Sequence, residues 1–204
     1  MTIDELMRLS PVIPVLVVED PATARPLAET LVGGGLKVLE VTMRTAAALE
    51  VIAEMKRVPG AVVGAGTVLS PDQFGQAMDA GAEFIVAPGL TEALARPVID
   101  SGVPFLPGVS TAGDLMRGVA LGLDRFKFFP AEAVGGIKAL KALAAPFRDA
   151  RFCPTGGITE ASAPAWLAEP SVLCVGGSWI VGGSAEETRA RAVHAAGLRG
   201  AAIT

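Results

Sequence analysis

The chain has 204 residues, 51% of them hydrophobic, and a formal net charge of −4 at pH 7, which supplies apolar material for one full core and leads us to expect a single domain over residues 1–204. An acidic balance, no Lys/Arg run and no tyrosine exclude a nucleic-acid partner recognised through a basic, aromatic surface. No apolar run is long enough for a membrane span, and Met1-Thr2-Ile3-Asp4-Glu5 is acidic where a signal peptide is basic, so a cytoplasmic protein with no membrane partner is expected.

In chain order, Asp4 to Leu9 reads as a short leading helix. Val12 to Val18 is the first continuous apolar run, a strand by length and β-branching, and Pro14 predicts that its first residues lie outside the hydrogen-bonded part. A helix from Pro21 to about Val32 follows and stops at Gly33-Gly34-Gly35. Leu36 to Val41 is the next strand, with Glu40 inside Val-Leu-Glu-Val-Thr. The unit of strand, loop, alanine- and leucine-rich helix and glycine then recurs, placing strands near residues 13–18, 36–41, 61–65, 83–87, 103–106, 124–129, 150–154 and 171–175. Strands apolar on both faces are the mark of a parallel sheet covered by helices. A doubly wound open sheet competes, but a complete dinucleotide glycine fingerprint follows none of the early strands. The expectation is an α/β protein built as a single (β/α)8 TIM barrel with a short N-terminal helix.

Cys153 and Cys174 sit in apolar strands and read as reduced core residues. The sole histidine, His194, falls in an Ala/Arg-rich terminal helix, which removes Ser-His and Cys-His machinery and disfavours a histidine-bound metal. The unusual feature is Leu123-Asp124-Arg125-Phe126-Lys127-Phe128-Phe129-Pro130-Ala131-Glu132, a strand that carries a lysine among aromatics. Burial penalises a charged amine, and a neutral one is a nucleophile suited to Schiff-base formation with a carbonyl compound. The structural alternative is a lysine that snorkels to solvent or pairs with Glu132. Lys37, Lys56, Lys138 and Lys141 all lie where exposure is easy, so only Lys127 invites the chemical reading.

A barrel does its chemistry at the carboxyl ends of its strands. There the sequence places Glu40, Thr42 and Arg44, then Thr67, Pro88, Ser110, Lys127 with Phe129, Thr155-Gly156-Gly157 and Gly176-Gly177-Ser178. Glu40, Thr42 and Arg44 alternate, so in a strand they share one side, either as a structural ion pair or as a carboxylate that moves protons beside a guanidinium that holds an anion. The glycine turns after the last two strands fit a phosphate grip, in which backbone N–H groups face the anion.

The words Val38-Leu39-Glu40-Val41-Thr42-Met43-Arg44-Thr45, Val63-Gly64-Ala65-Gly66-Thr67-Val68-Leu69, Phe126-Lys127-Phe128-Phe129-Pro130-Ala131-Glu132 and Arg151-Phe152-Cys153-Pro154-Thr155-Gly156-Gly157-Ile158 resemble the aldolases of 2-dehydro-3-deoxy-6-phosphogluconate (KDPG), which often also cleave 4-hydroxy-2-oxoglutarate (KHG). The resemblance implies a phosphorylated 2-keto acid substrate, Lys127 as Schiff-base residue and Glu40 as general acid/base. It further implies that Arg44 and Thr67 bind the pyruvate carboxylate with Thr155 close by, that Gly156, Gly157 and Ser178 hold the phosphate, to which the glycine-turn reading adds Gly177, and that Phe129 and Pro88 line the pocket. A homotrimer working without metal or other cofactor is the corresponding expectation. Met43, where the family often has leucine, and Ala87, where serine is common, are small departures.

Overall fold

The computed structural model describes residues 1–198. Helix α1 (Ile3–Arg8) begins at a capping box in which the Thr2 hydroxyl accepts from the Glu5 N–H and the Glu5 carboxylate accepts from the Thr2 N–H. Strand β1 (Val12–Leu16) follows, and Asp20 caps a single 3-10 turn, Pro21–Thr23, that leads into α2 (Ala24–Gly33). Gly35, at φ +97°, ends that helix as its sequence predicts. The alternation continues through β2 (Val38–Thr42), α3 (Ala48–Met55), β3 (Val62–Gly66), α4 (Pro71–Asp79), β4 (Ile85–Val86) and α5 (Glu92–Ser101). Two short strands, β5 (Phe105–Leu106) and β6 (Gly108–Val109), precede α6 (Ala112–Ala120). The chain closes with β7 (Arg125–Phe128), α7 (Gly136–Ala144), β8 (Arg151–Pro154), α8 (Ala163–Leu167), β9 (Val175–Gly177) and α9 (Ala185–Ala196).

All strand pairs are parallel. One sheet runs β5-β4-β3-β2-β1-β9 and a second runs β6-β7-β8. The last strand thus lies beside the first, and because bridges also join its segment to β8, the two sheets curl toward each other. Side chains on the outer face, such as Leu39, Val41, Ile85, Phe126, Phe128 and Phe152, join the helices in the main core. Those on the inner face, including Ile13, Val38, Phe84, Val86, Leu106 and Cys153, form a second core with Leu6 and Met7 of α1. Helix α1 therefore plugs the amino end of the curled sheet. Its Asp4 meets the Arg125 Nε of β7 at 2.6 Å. Burial opposes ionisation of Asp4, but hydrogen bonds and charge from Arg8 and Arg125 outweigh it and hold the carboxyl below its ordinary value.

Three expectations need correction. Pro14 does not keep the start of β1 out of the ladder: Val12, Ile13 and Pro14 face Val175, Gly176 and Gly177, while Val15 and Leu16 face Glu40 and Val41. A proline removes one donor from a strand without removing its place beside a neighbour. The fifth strand is broken at Pro107 into pieces that belong to different sheets. The last strand starts at Val175 rather than near 171, because the isolated bridges Phe152↔Val172 and Thr155↔Gly176 leave one extra residue on the second chain and break regular pairing.

Candidate active site

Residues alternate across β7, and this decides which of its side chains can act. Phe126 and Phe128 point to the helices, where Phe126 stacks 6.2 Å from Phe152 and Phe128 lies 6.3 Å from Trp166. Lys127 points the other way, into the interior. The aromatic neighbours read from the sequence therefore do not surround the amine. Its burial comes from the curled sheet itself, and of the aromatic residues in this segment it is Phe129 that faces the amine, with its ring centroid 5.3 Å from Nζ.

Lys127 is 4% exposed, and its amine meets Glu40, itself 3% exposed, at 3.0 Å from Nζ to Oε1. Snorkelling and pairing with Glu132 are thus excluded. Glu132 instead accepts a hydrogen bond from the Trp166 indole. The other lysines are exposed, as expected. Glu40 reaches the amine from the middle of β2, across the interior between the two sheets, because β3 gives it room: a methyl on Gly66 would stand 2.5 Å from Glu40 Cγ and 2.7 Å from Cδ. The sequence showed Gly66 only as part of a glycine-rich strand end. A buried carboxylate opposite it was the missing signal.

Beside the pair lie the two cysteines. Cys153 shares the ladder with Lys127, and burial pushes the Cys174 thiol up, reinforced by its hydrogen bond to Cys153 and by the charges of Cys153 and Glu40. Thr42 is buried too, but its hydroxyl donates to the Leu16 carbonyl at 2.9 Å and so serves the β1–β2 junction. Arg44 does not share the strand face with Glu40, because β2 ends at Thr42 and Arg44 stands in the following turn, exposed and lining a cavity.

That cavity, of about 320 Å³, is bounded by Arg44, Phe129, Thr155, Gly156, Gly157, Gly176, Gly177 and Ser178, all among the strand-end residues singled out in the sequence, together with Val15, Val17 and Ile158, which were not assigned to the site. Gly156 and Gly157 adopt φ +103° and +79°, a backbone that glycine alone takes without strain. Thr67 and Pro88 are not among its lining residues. Thr67 follows β3 at φ +60°, the one non-glycine residue with positive φ among those described, and Pro88 packs its carbonyl onto Gly108. A larger depression, about 400 Å³ around Leu123 and Phe147, lies at the amino end of β7 and β8, away from the Lys127–Glu40 pair. Among the described residues, no three His, Cys, Asp or Glu side chains are grouped as metal ligands.

A buried amine paired with a carboxylate can form and break a Schiff base, and an exposed arginine beside glycine turns can hold anions. Comparison with known proteins gives the same direction. The family model for KDPG and KHG aldolase matches residues 3–195. A 2-dehydro-3-deoxy-phosphogluconate aldolase of Zymomonas mobilis is 62% identical over 179 residues, covering 88% of this chain and 86% of that protein. The crystal structure of the 2-keto-3-deoxy-6-phosphogluconate aldolase of Zymomonas mobilis with 3-phosphoglycerate superposes with a TM-score of 0.97 at 56% identity, over 99% of this chain and 98% of that one. The KDPG aldolase of Legionella pneumophila, with pyruvate captured as a covalent carbinolamine, has a TM-score of 0.93 at 40% identity, over 96% and 98% of the two chains. The chain belongs to the KDPG and KHG aldolase family.

Proposed function

We propose that this protein is a class I aldolase that cleaves KDPG to pyruvate and glyceraldehyde 3-phosphate, and KHG to pyruvate and glyoxylate. The observation that carries the reading is the buried Lys127–Glu40 pair, 3.0 Å apart, in the interior of a curled parallel sheet. Glu40 takes a proton from the Lys127 ammonium, and the freed amine attacks the C2 ketone of the substrate. The carbinolamine loses water with a proton supplied by Glu40, leaving an iminium. Deprotonation of the C4 hydroxyl then breaks the C3–C4 bond, whose electron pair moves into the iminium to give an enamine of pyruvate and a free aldehyde. Protonation at C3 and attack by water release pyruvate and restore the lysine.

Arg44, with Thr67 and Thr155, takes the carboxylate, and Gly156, Gly157, Gly177 and Ser178 take the phosphate, so that both ends of the substrate are held while the central bond breaks. Phe129 forms part of the cavity wall, and the part given to Pro88, outside that lining, rests on the family match. A chain of these roles predicts that KDPG cleavage, followed through pyruvate release with a lactate dehydrogenase couple, disappears in Lys127→Ala and persists after treatment with a chelator. Turnover by Lys127→Ala at the wild-type rate would refute the assignment.

We read the two sheets as one closed (β/α)8 barrel in a single domain over residues 1–204. The adjacency of β5 and β6 across Pro107 and the two bridges between β8 and the β9 segment support closure, and the family match over residues 3–195 supports one domain. Residues 199–204 lie outside the described part. We also place the enzyme in the cytoplasm as a homotrimer. No helix among the described residues is long and apolar enough to cross a membrane. Met116 and Val119 on α6 are large and exposed, as a subunit contact requires. Sedimentation at a mass other than three chains would remove the trimer.

A further inference from the structure

The turn that follows β7 is tied to the first half of the grip, the Thr155-Gly156-Gly157 turn that follows β8. Ala131 N–H donates to the Thr155 carbonyl at 2.8 Å, and Glu132 N–H donates to the Gly156 carbonyl at 3.1 Å. The Cβ and Cγ of Glu132 lie where a side chain on Gly157 would go, 2.8 Å from that position, so the Glu132 stem covers the second glycine. The Glu132 carboxylate accepts from Trp166 Nε1 at 2.9 Å, and the Trp166 ring is wholly buried in the helix layer beside Phe128. Glu132 does not line the cavity.

We infer that Glu132, anchored by Trp166, is a positioning residue that fixes the Gly156–Gly157 turn and thereby sets how strongly the enzyme prefers phosphorylated over unphosphorylated 2-keto acids. The inference rests on the aldolase reading above. Two physical effects support it. Glu132 is exposed although Trp166 is buried, so removing the carboxylate leaves the indole N–H to water, which satisfies the donor but does not tie it to the turn, and the Gly156–Gly157 turn loses that anchor. A carboxylate set loose beside the phosphate grip also repels the anion the grip receives. Neither effect reaches the Lys127–Glu40 pair, which sits on other strand positions and shares no hydrogen bond with Glu132.

The test compares Glu132→Ala, Glu132→Gln and Trp166→Phe on KDPG and on KHG, with borohydride trapping of pyruvate in each protein. Glu132→Ala and Trp166→Phe are expected to raise KM for KDPG so that selectivity for it over KHG falls by about tenfold to a hundredfold. Glu132→Gln keeps an oxygen that accepts from the indole and should recover most of the selectivity. Equal losses on both substrates, or unchanged selectivity in Glu132→Ala, overturn the inference. If the wild-type protein traps no pyruvate, the aldolase reading fails instead. Should Glu132→Ala not fold, Trp166→Phe decides: it removes the indole donor and leaves the Glu132 stem over Gly157, and thermal denaturation of the variant accounts for the ring volume lost from the core.

Discussion

Gly66→Ala tests the reactive pair without changing either of its members. The added methyl would stand 2.5 Å from Glu40 Cγ and 2.7 Å from Cδ, and closer still to Oε1, whereas ordinary contact begins at 3.4 Å. Glu40 must therefore retreat by about 1 Å, and its 3.0 Å contact with Lys127 Nζ opens beyond hydrogen-bonding range. Misplacement of a catalytic group by that amount costs about 10²-fold in rate. The measurement is kcat/KM for KDPG cleavage, with the rate of borohydride trapping by pyruvate as a second readout. Thermal denaturation separates this from loss of fold. The expected variant is folded, binds pyruvate slowly and turns over about a hundredfold less. A folded variant with wild-type kcat/KM would show that the position of Glu40 does not matter, and the proton-transfer assignment would fall.

Glu40→Gln keeps the shape and hydrogen bonding of the side chain but cannot move a proton, so kcat should drop by about 10²–10⁴-fold with the melting temperature little changed. Asp4 offers a stability test away from the site. Its carboxyl is held below the ordinary value of 3.8, so its ion pairs with Arg8 and Arg125 stabilise the fold above that pH and lose effect as pH falls through the lower folded value. The difference in stability between wild type and Asp4→Asn, followed by urea titration, should be present at pH 7 and shrink below pH 3.8. A difference that grows on acidification contradicts the assignment.

The sequence carried the periodic parts of this architecture well. Runs such as Val38-Leu39 and Val62-Val63, each bounded by glycine-containing turns, are parallel strands at nearly the predicted places, and Gly35 ends its helix as expected. Strand ends were harder where composition and pairing disagree. Ser171 to Cys174 is as apolar as any strand, but an extra residue against β8 delays regular pairing to Val175. Lys127 and Glu40 were legible because charged residues inside apolar runs have few reasons to be there. The cause of the lysine's burial was not, since Phe126 and Phe128 flank it in sequence but face away from it in space. Arg44 looked like a strand residue by spacing, yet the chain turns before reaching it. Contacts that join distant segments, such as Gly66 to Glu40 and Glu132 to Trp166, leave no local trace that one sequence displays.

The most direct test is reduction with borohydride in the presence of pyruvate, followed by peptide mass mapping. A single reduced pyruvyl group should appear on the peptide that contains Lys127, and the adduct should be absent from Lys127→Ala. An adduct on another lysine, or none in the wild-type enzyme, would contradict a covalent mechanism centred on the buried amine.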